Sequence, residues 1–169
     1  MDVISKKISN VRVAFDVLKY GYRAPICHKQ INFHLIYDVN MEDFRRKARL
    51  VAGGHMTETP KCMTYSSVVG RDTVRIALNI DALNNLQVKV GDLMSAYVTE
   101  PCSKKIWTVQ GKYFGSDQGK KDIIVRALYG LKSSGAAFHA HLAACVRSIG
   151  YTPCRVDNDL WMKPEIYPD

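Results

Sequence analysis

Residues 31–39 and 44–52 are two strand-length runs separated only by the short polar stretch around Asn40, Met41, Glu42 and Asp43. Apolar, β-branched and aromatic residues recur through both runs, and so short a connection leaves an antiparallel hairpin as the economical solution. Gly53 and Gly54 then end the second strand. Side chains alternate across a strand, so Arg45, Lys47 and Arg49 fall on one face. The hairpin is therefore expected to carry a strongly basic surface.

From Asp72 the period changes. Val74, Ala77, Ile80 and Leu83 recur at spacings of three, with Ile76 in support, which predicts a helix whose apolar stripe packs on a sheet. Ser67 to Asp72 supplies polar residues suited to cap it. The run Leu86 to Val90 predicts a short strand delivering Gly91 and Asp92 at its end, followed by a helical turn from Leu93 to Tyr97. Further strands are predicted at 105–109 and 122–127, on either side of a glycine-rich turn, 111–119. A last helix is predicted over 136–149, with Phe138, Leu142, Cys145 and Ile149 on one side and Gly150 closing it. Cys145 on that side reads as a small buried hydrophobe. A turn and a short strand fill 151–162. The expected class is α+β, an antiparallel sheet with helices segregated to one side.

The chain has 169 residues, 47% of them hydrophobic, enough to bury one sizeable core. Its formal net charge of +8 suits a polyanionic partner, because cations that neutralise phosphates release counterions, and it suits a merely basic surface equally well; charge alone does not choose between them. The five cysteines are scattered and contain no CxxC pair, which argues against a disulfide framework and a zinc knuckle and fits a reducing, intracellular compartment. The histidines lack any HExxH-like spacing. No apolar run approaches the roughly 18 residues of a membrane span, so no membrane partner is expected.

Three segments carry chemistry: RKARLVAGGH (46–55), GDLMSAY (91–97) and LYGLKSSGAAF (128–138). By residue type alone each has a structural reading. Asp92 suits a helix N-cap and Tyr97 a half-buried core aromatic, while Gly130 relieves a tight turn and Lys132, Lys47 and Arg49 are solvated cations. Taken together, and with TYSSVVGRDTVRIAL (64–78) and DNDLWMKP (157–164) in order between and after them, the segments resemble a copia-type retrotransposon reverse transcriptase over residues 8–164.

That resemblance implies the fingers and part of the palm of a right-hand polymerase, encoded within a Pol polyprotein. Residues 1–30 would be an N-terminal segment, 31–164 the fingers and partial palm, and 165–169 a truncated tail. Asp92 would be the catalytic, metal-binding carboxylate for Mg2+, with Mn2+ as an alternative. Tyr97 would sit beneath the incoming sugar as a steric gate. Lys47 and Arg49 would contact the triphosphate, Arg49 by bidentate hydrogen bonding and Lys47 as charge. Gly130 would let backbone approach the nascent base pair, and Lys132 would reach phosphate. The partners implied are an RNA template, a DNA primer, deoxynucleoside triphosphates and the remaining Pol regions, in a cytoplasmic particle or the nucleus.

The family also uses a Tyr-x-Asp-Asp hairpin, and no two adjacent aspartates occur here. Two-metal phosphoryl transfer needs several carboxylates converging on ions about 3.5–4 Å apart. Asp157 and Asp159 resemble a turn in which Asp caps backbone amides, not that hairpin. The expectation is a truncated RNA-directed DNA polymerase domain, inactive alone. The alternative is a non-catalytic nucleic-acid-binding or scaffold protein derived from a retroelement.

Overall fold

The computed structural model describes residues 3–41, 44, 46–59 and 64–163. In chain order the elements are α1 (Val3–Val11), β1 (Phe15–Val17), β2 (Lys29–Gln30), β3 (Phe33–Val39), β4 (Arg46–Ala52), α2 (Arg71–Leu83), β5 (Ile106–Val109), β6 (Lys121–Ile124), α3 (Ser134–Ser148), β7 (Thr152–Pro153) and β8 (Trp161–Met162). The chain divides into two units, Met1–Thr64 with Ser95–Phe138, and Tyr65–Met94 with His139–Asp169.

In the first unit, β3 and β4 form the expected antiparallel hairpin, in register from Phe33 opposite Ala52 to Val39 opposite Arg46. Ala48, Leu50 and Ala52 turn inward while Lys47 and Arg49 are exposed, the alternation that a two-residue period demands. Arg45 lies outside the described residues. A second sheet has the order β1-β6-β5-β2, antiparallel except for the β2–β5 pair, which is parallel. That parallel pair departs from an all-antiparallel expectation; the α+β class holds.

One apolar core serves this unit. Ile8 and Val11 of α1, Phe15, Ile31, Leu50, Ile106, Phe114, Ile124, Leu128 and Leu131 are buried together. Residues 3–30, set apart from 31–164 by sequence, thus contribute to the same core, and α1 packs on β4. Phe15 meets Phe33 and Phe114 edge to face, with ring centroids 5.4 and 5.5 Å away. Such contacts add to burial because the positive ring edge faces the negative ring face.

The end of β4 crosses the 128–131 turn at backbone distance. The Ala52 amide donates to the Tyr129 carbonyl, 2.7 Å away. Gly130 has φ +90, and a Cβ built there would collide with the Ala52 carbonyl, just as one built on Gly54 would collide with the Gly130 carbonyl. Neither position has room for a side chain.

The second unit corrects several expectations. α2 forms almost where its period predicts, yet it buries no residue, and Val74, Ile80 and Leu83 of its stripe are exposed. Residues 86–90 form no strand, and Val90 is 96% exposed. A strand needs a neighbouring backbone to complete its hydrogen bonds, and among the described residues none pairs with this run. In α3 His139, Leu142, Ala143 and Val146 line one pocket, where Val68, Val69 and Trp161 also gather. Of the predicted side, Cys145 and Ile149 are exposed, while Leu142, in that pocket, is 37% exposed. The helix is rich in alanine, so apolar residues lie on most of its sides and periodicity alone does not choose the correct face. The tail 165–169 lies outside the described residues.

Two outcomes test this packing. Gly54→Ala and Gly130→Ala should each destabilise the chain by roughly 1–3 kcal/mol or more in urea unfolding, whereas Gly111→Ala, where an added Cβ meets nothing within 4 Å, should not. Asp122 is fully buried and both carboxylate oxygens lack a partner. Burial pushes its pKa up to about 6, with Asp16 adding to the rise and Arg12 and Lys120 opposing it. The folded state thus holds the proton more tightly than the unfolded state, so this site's stabilisation is full below about 3.8 and lost as pH rises through about 6. Asp122→Asn should therefore match wild type near the lower limit and exceed its stability at pH ~8, by on the order of 2–3 kcal/mol.

Candidate nucleic-acid interface

Lys47 and Arg49 share the open face of β4 because their neighbours Ala48 and Leu50 fill the core. Asp38 stands opposite Lys47 in the ladder and also accepts from the Arg49 guanidinium at 3.3 Å. Both partners of that ion pair are half exposed, so it is a weak tether that leaves Arg49 available to another anion. Lys7 enters only with the fold. Burial, then the charge of Arg49, lower its pKa, so α1 adds a third cation beside the hairpin. Its ammonium also lies 5.6 Å from the Tyr129 ring centroid. The only advance signal for Lys7 is its place one residue before Ile8, on an amphipathic helix.

Tyr97 lies in a 3-10 turn, Ala96–Thr99. Its ring meets Tyr129 edge to face at 4.5 Å and Phe138 at 6.1 Å. Tyr129 in turn belongs to the loop that Gly130 fastens to β4 through the Ala52 amide. The first unit therefore joins the basic strand, the aromatic pair and Gly130 through a continuous chain of neighbours. Tyr129 is the member that motif reading passes over.

Gly130 has a demonstrated use inside the fold, the close approach to Ala52 and Gly54. Lys132 is likewise engaged, its ammonium donating to the Thr57 carbonyl at 2.9 Å. That bond ties the start of α3 to the segment after β4, whereas the family resemblance assigns Lys132 to phosphate.

Asp92 belongs to the second unit, in an exposed irregular stretch and not at a strand end. Among the described residues no three His, Cys, Asp or Glu side chains gather in a metal-holding group. One exposed carboxylate does not fit a two-magnesium site, and the described residues support no catalytic step through a metal.

Asp157 and Asp159 have structural work. Asp157 accepts from the Gly70 amide at 2.8 Å and from the Asp159 amide at 3.0 Å, and these bonds, with one from Thr73, hold its pKa below the usual carboxylate range. Asp159 is held low first by His139 and then by Ser67. Although Ser67, His139 and Asp159 form a Ser-His-Asp group, both partners approach the same Nε2 of His139. A relay needs the two ring nitrogens used separately, so this group cannot activate the serine that way.

The family described as reverse transcriptase (RNA-dependent DNA polymerase) matches residues 16–166. The chain belongs to that family, in its copia-type branch. No curated protein and no solved structure matches the chain.

The Lys132 hydrogen bond yields a discriminating expectation. Lys132→Met should cost about 1–2 kcal/mol in urea unfolding, since a charged hydrogen bond to a backbone carbonyl is removed. It should leave affinity for a template–primer duplex unchanged. Weakened affinity with unchanged stability would instead assign Lys132 to phosphate.

Proposed function

We propose that this chain is the nucleic-acid-holding fingers portion of a copia-type reverse transcriptase, with part of the palm, and that by itself it binds template and primer without extending them. The supporting observation is the exposed Lys47/Arg49 face, joined through Lys7 and Tyr129 to the Tyr97 aromatic pair. Cations at alternate positions on a rigid strand can follow a phosphate backbone, and the parent enzyme's deoxynucleoside triphosphates offer the same group. Tyr97 is a candidate platform for the sugar or base.

Copying RNA into DNA would require Asp92 and further carboxylates to hold Mg2+ or Mn2+, whose role is to stabilise the attacking and leaving oxygens. These 169 residues contain no adjacent pair of aspartates, so the remaining Pol regions are the proposed source of the rest. The setting would be intracellular, a cytoplasmic particle or the nucleus. The same lack of an adjacent aspartate pair favours a second reading, a non-catalytic binding or scaffold protein derived from a retroelement, which would keep the basic face and dispense with the metal.

Template–primer binding as a function of salt tests the shared core of both readings. Affinity should fall linearly in a log–log plot, and Lys47→Ala with Arg49→Ala should reduce the slope by about 1–2, given roughly 0.7–0.9 for each phosphate no longer neutralised. Magnesium and deoxynucleotides should give no primer extension above background. Supplying the downstream Pol regions separates the readings: restored extension identifies a polymerase portion, and none with intact binding identifies the scaffold. Weak binding insensitive to salt would remove both.

A further inference from the structure

On the face of the β3–β4 hairpin opposite Lys47 and Arg49, the first unit holds a cavity of about 460 Å³. None of Lys47, Arg49, Tyr97, Gly130 or Lys132 lines it. Phe33, Leu35, Leu50 and Phe114 supply apolar walls, and the turn after β5 adds Gln110. Gln110 is 3% exposed, yet its amide oxygen has no hydrogen-bond partner. A buried acceptor left without a donor is costly, and beside a cavity it is the atom that a ligand N–H would satisfy. Exposed Lys112 also lines the cavity, its ammonium 5.2 Å from the Tyr113 ring centroid.

We propose that this cavity binds a nucleobase, with the base edge on the Gln110 amide, the ring against Phe33 and Phe114, and a phosphate reaching Lys112. The volume lies within the range of small-molecule sites, which pair apolar walls with a few polar groups. A glutamine amide carries a donor and an acceptor side by side, the complement of a base edge. Aromatic and apolar walls accept a flat ring, and a lysine at the rim accepts an anion as a point charge. The base can come from a free nucleotide or from an unstacked position in a single strand; the chemistry is the same. This site does not depend on the basic face.

The full chain titrated with AMP and UMP by calorimetry, and with a short single strand carrying one 2-aminopurine by fluorescence, tests the assignment. Saturable binding is expected for a mononucleotide, for the strand with a rise in fluorescence, or for both, and the pattern identifies the source. Gln110→Leu should weaken binding roughly tenfold or more. Leu35→Phe, which fills the cavity from another wall, should do the same and guards against a folding defect in the first variant. Lys112→Ala should weaken AMP but not adenosine. Adenosine, which has no phosphate for the basic face to hold, should still bind saturably, which separates this site from the phosphate-binding face. No saturation with any probe, or affinity indifferent to both Gln110→Leu and Leu35→Phe, overturns the proposal.

Discussion

The first unit depends on two backbones meeting with nothing between them. Where the end of β4 passes the 128–131 turn, Gly54 and Gly130 each leave out a side chain that would strike the other's strand, and the Ala52 amide closes the gap onto the Tyr129 carbonyl. Backbone contact of this kind is rigid because no rotamer can absorb a shift. It fixes Tyr129, and through Tyr129 the ring of Tyr97. A motif glycine that family resemblance ties to ligand approach thus has a prior duty within the protein itself.

Much of this is legible in the sequence, for identifiable reasons. The hairpin is readable because one face of β4 must be apolar and the other cannot be, so Ala48 and Leu50 between Lys47 and Arg49 define both the strand and its orientation. α2 is readable as a helix, since a period of three to four survives without knowledge of neighbours. Its packing is not: whether Val74 and Ile80 are covered depends on another element, and periodicity says only which residues would prefer cover. The run 86–90 misleads for the related reason that β-propensity becomes structure only when a partner strand supplies hydrogen bonds. The inward face of α3 is hard to place in rotation because alanines carry little directional information.

The candidate site divides along the same line. Lys47, Arg49 and Tyr97 are candidates from the sequence because motifs name residues, and the first unit links them through neighbours. Lys7 and Tyr129 are not, since their relevance comes from tertiary neighbours: Lys7 through the charge of Arg49, Tyr129 through the ring of Tyr97. Asp92 shows the reverse, a residue named by its motif whose chemistry requires companions that the described residues do not supply. Gln110 belongs to no motif, and only an unsatisfied oxygen in the folded core draws attention to it.

The first unit is assembled from two stretches of chain separated by residues 65–94. Ile124, Leu128 and Leu131 supply the late share of a core whose early share is Ile8, Val11 and Phe15. During synthesis the hairpin and α1 emerge from the ribosome long before those residues, so the apolar surface they do not bury on each other must wait while about seventy further codons are read, some seconds at ordinary elongation rates. Such a chain spends its infancy sticky. Holding factors that cover those apolar faces would then contribute to its yield.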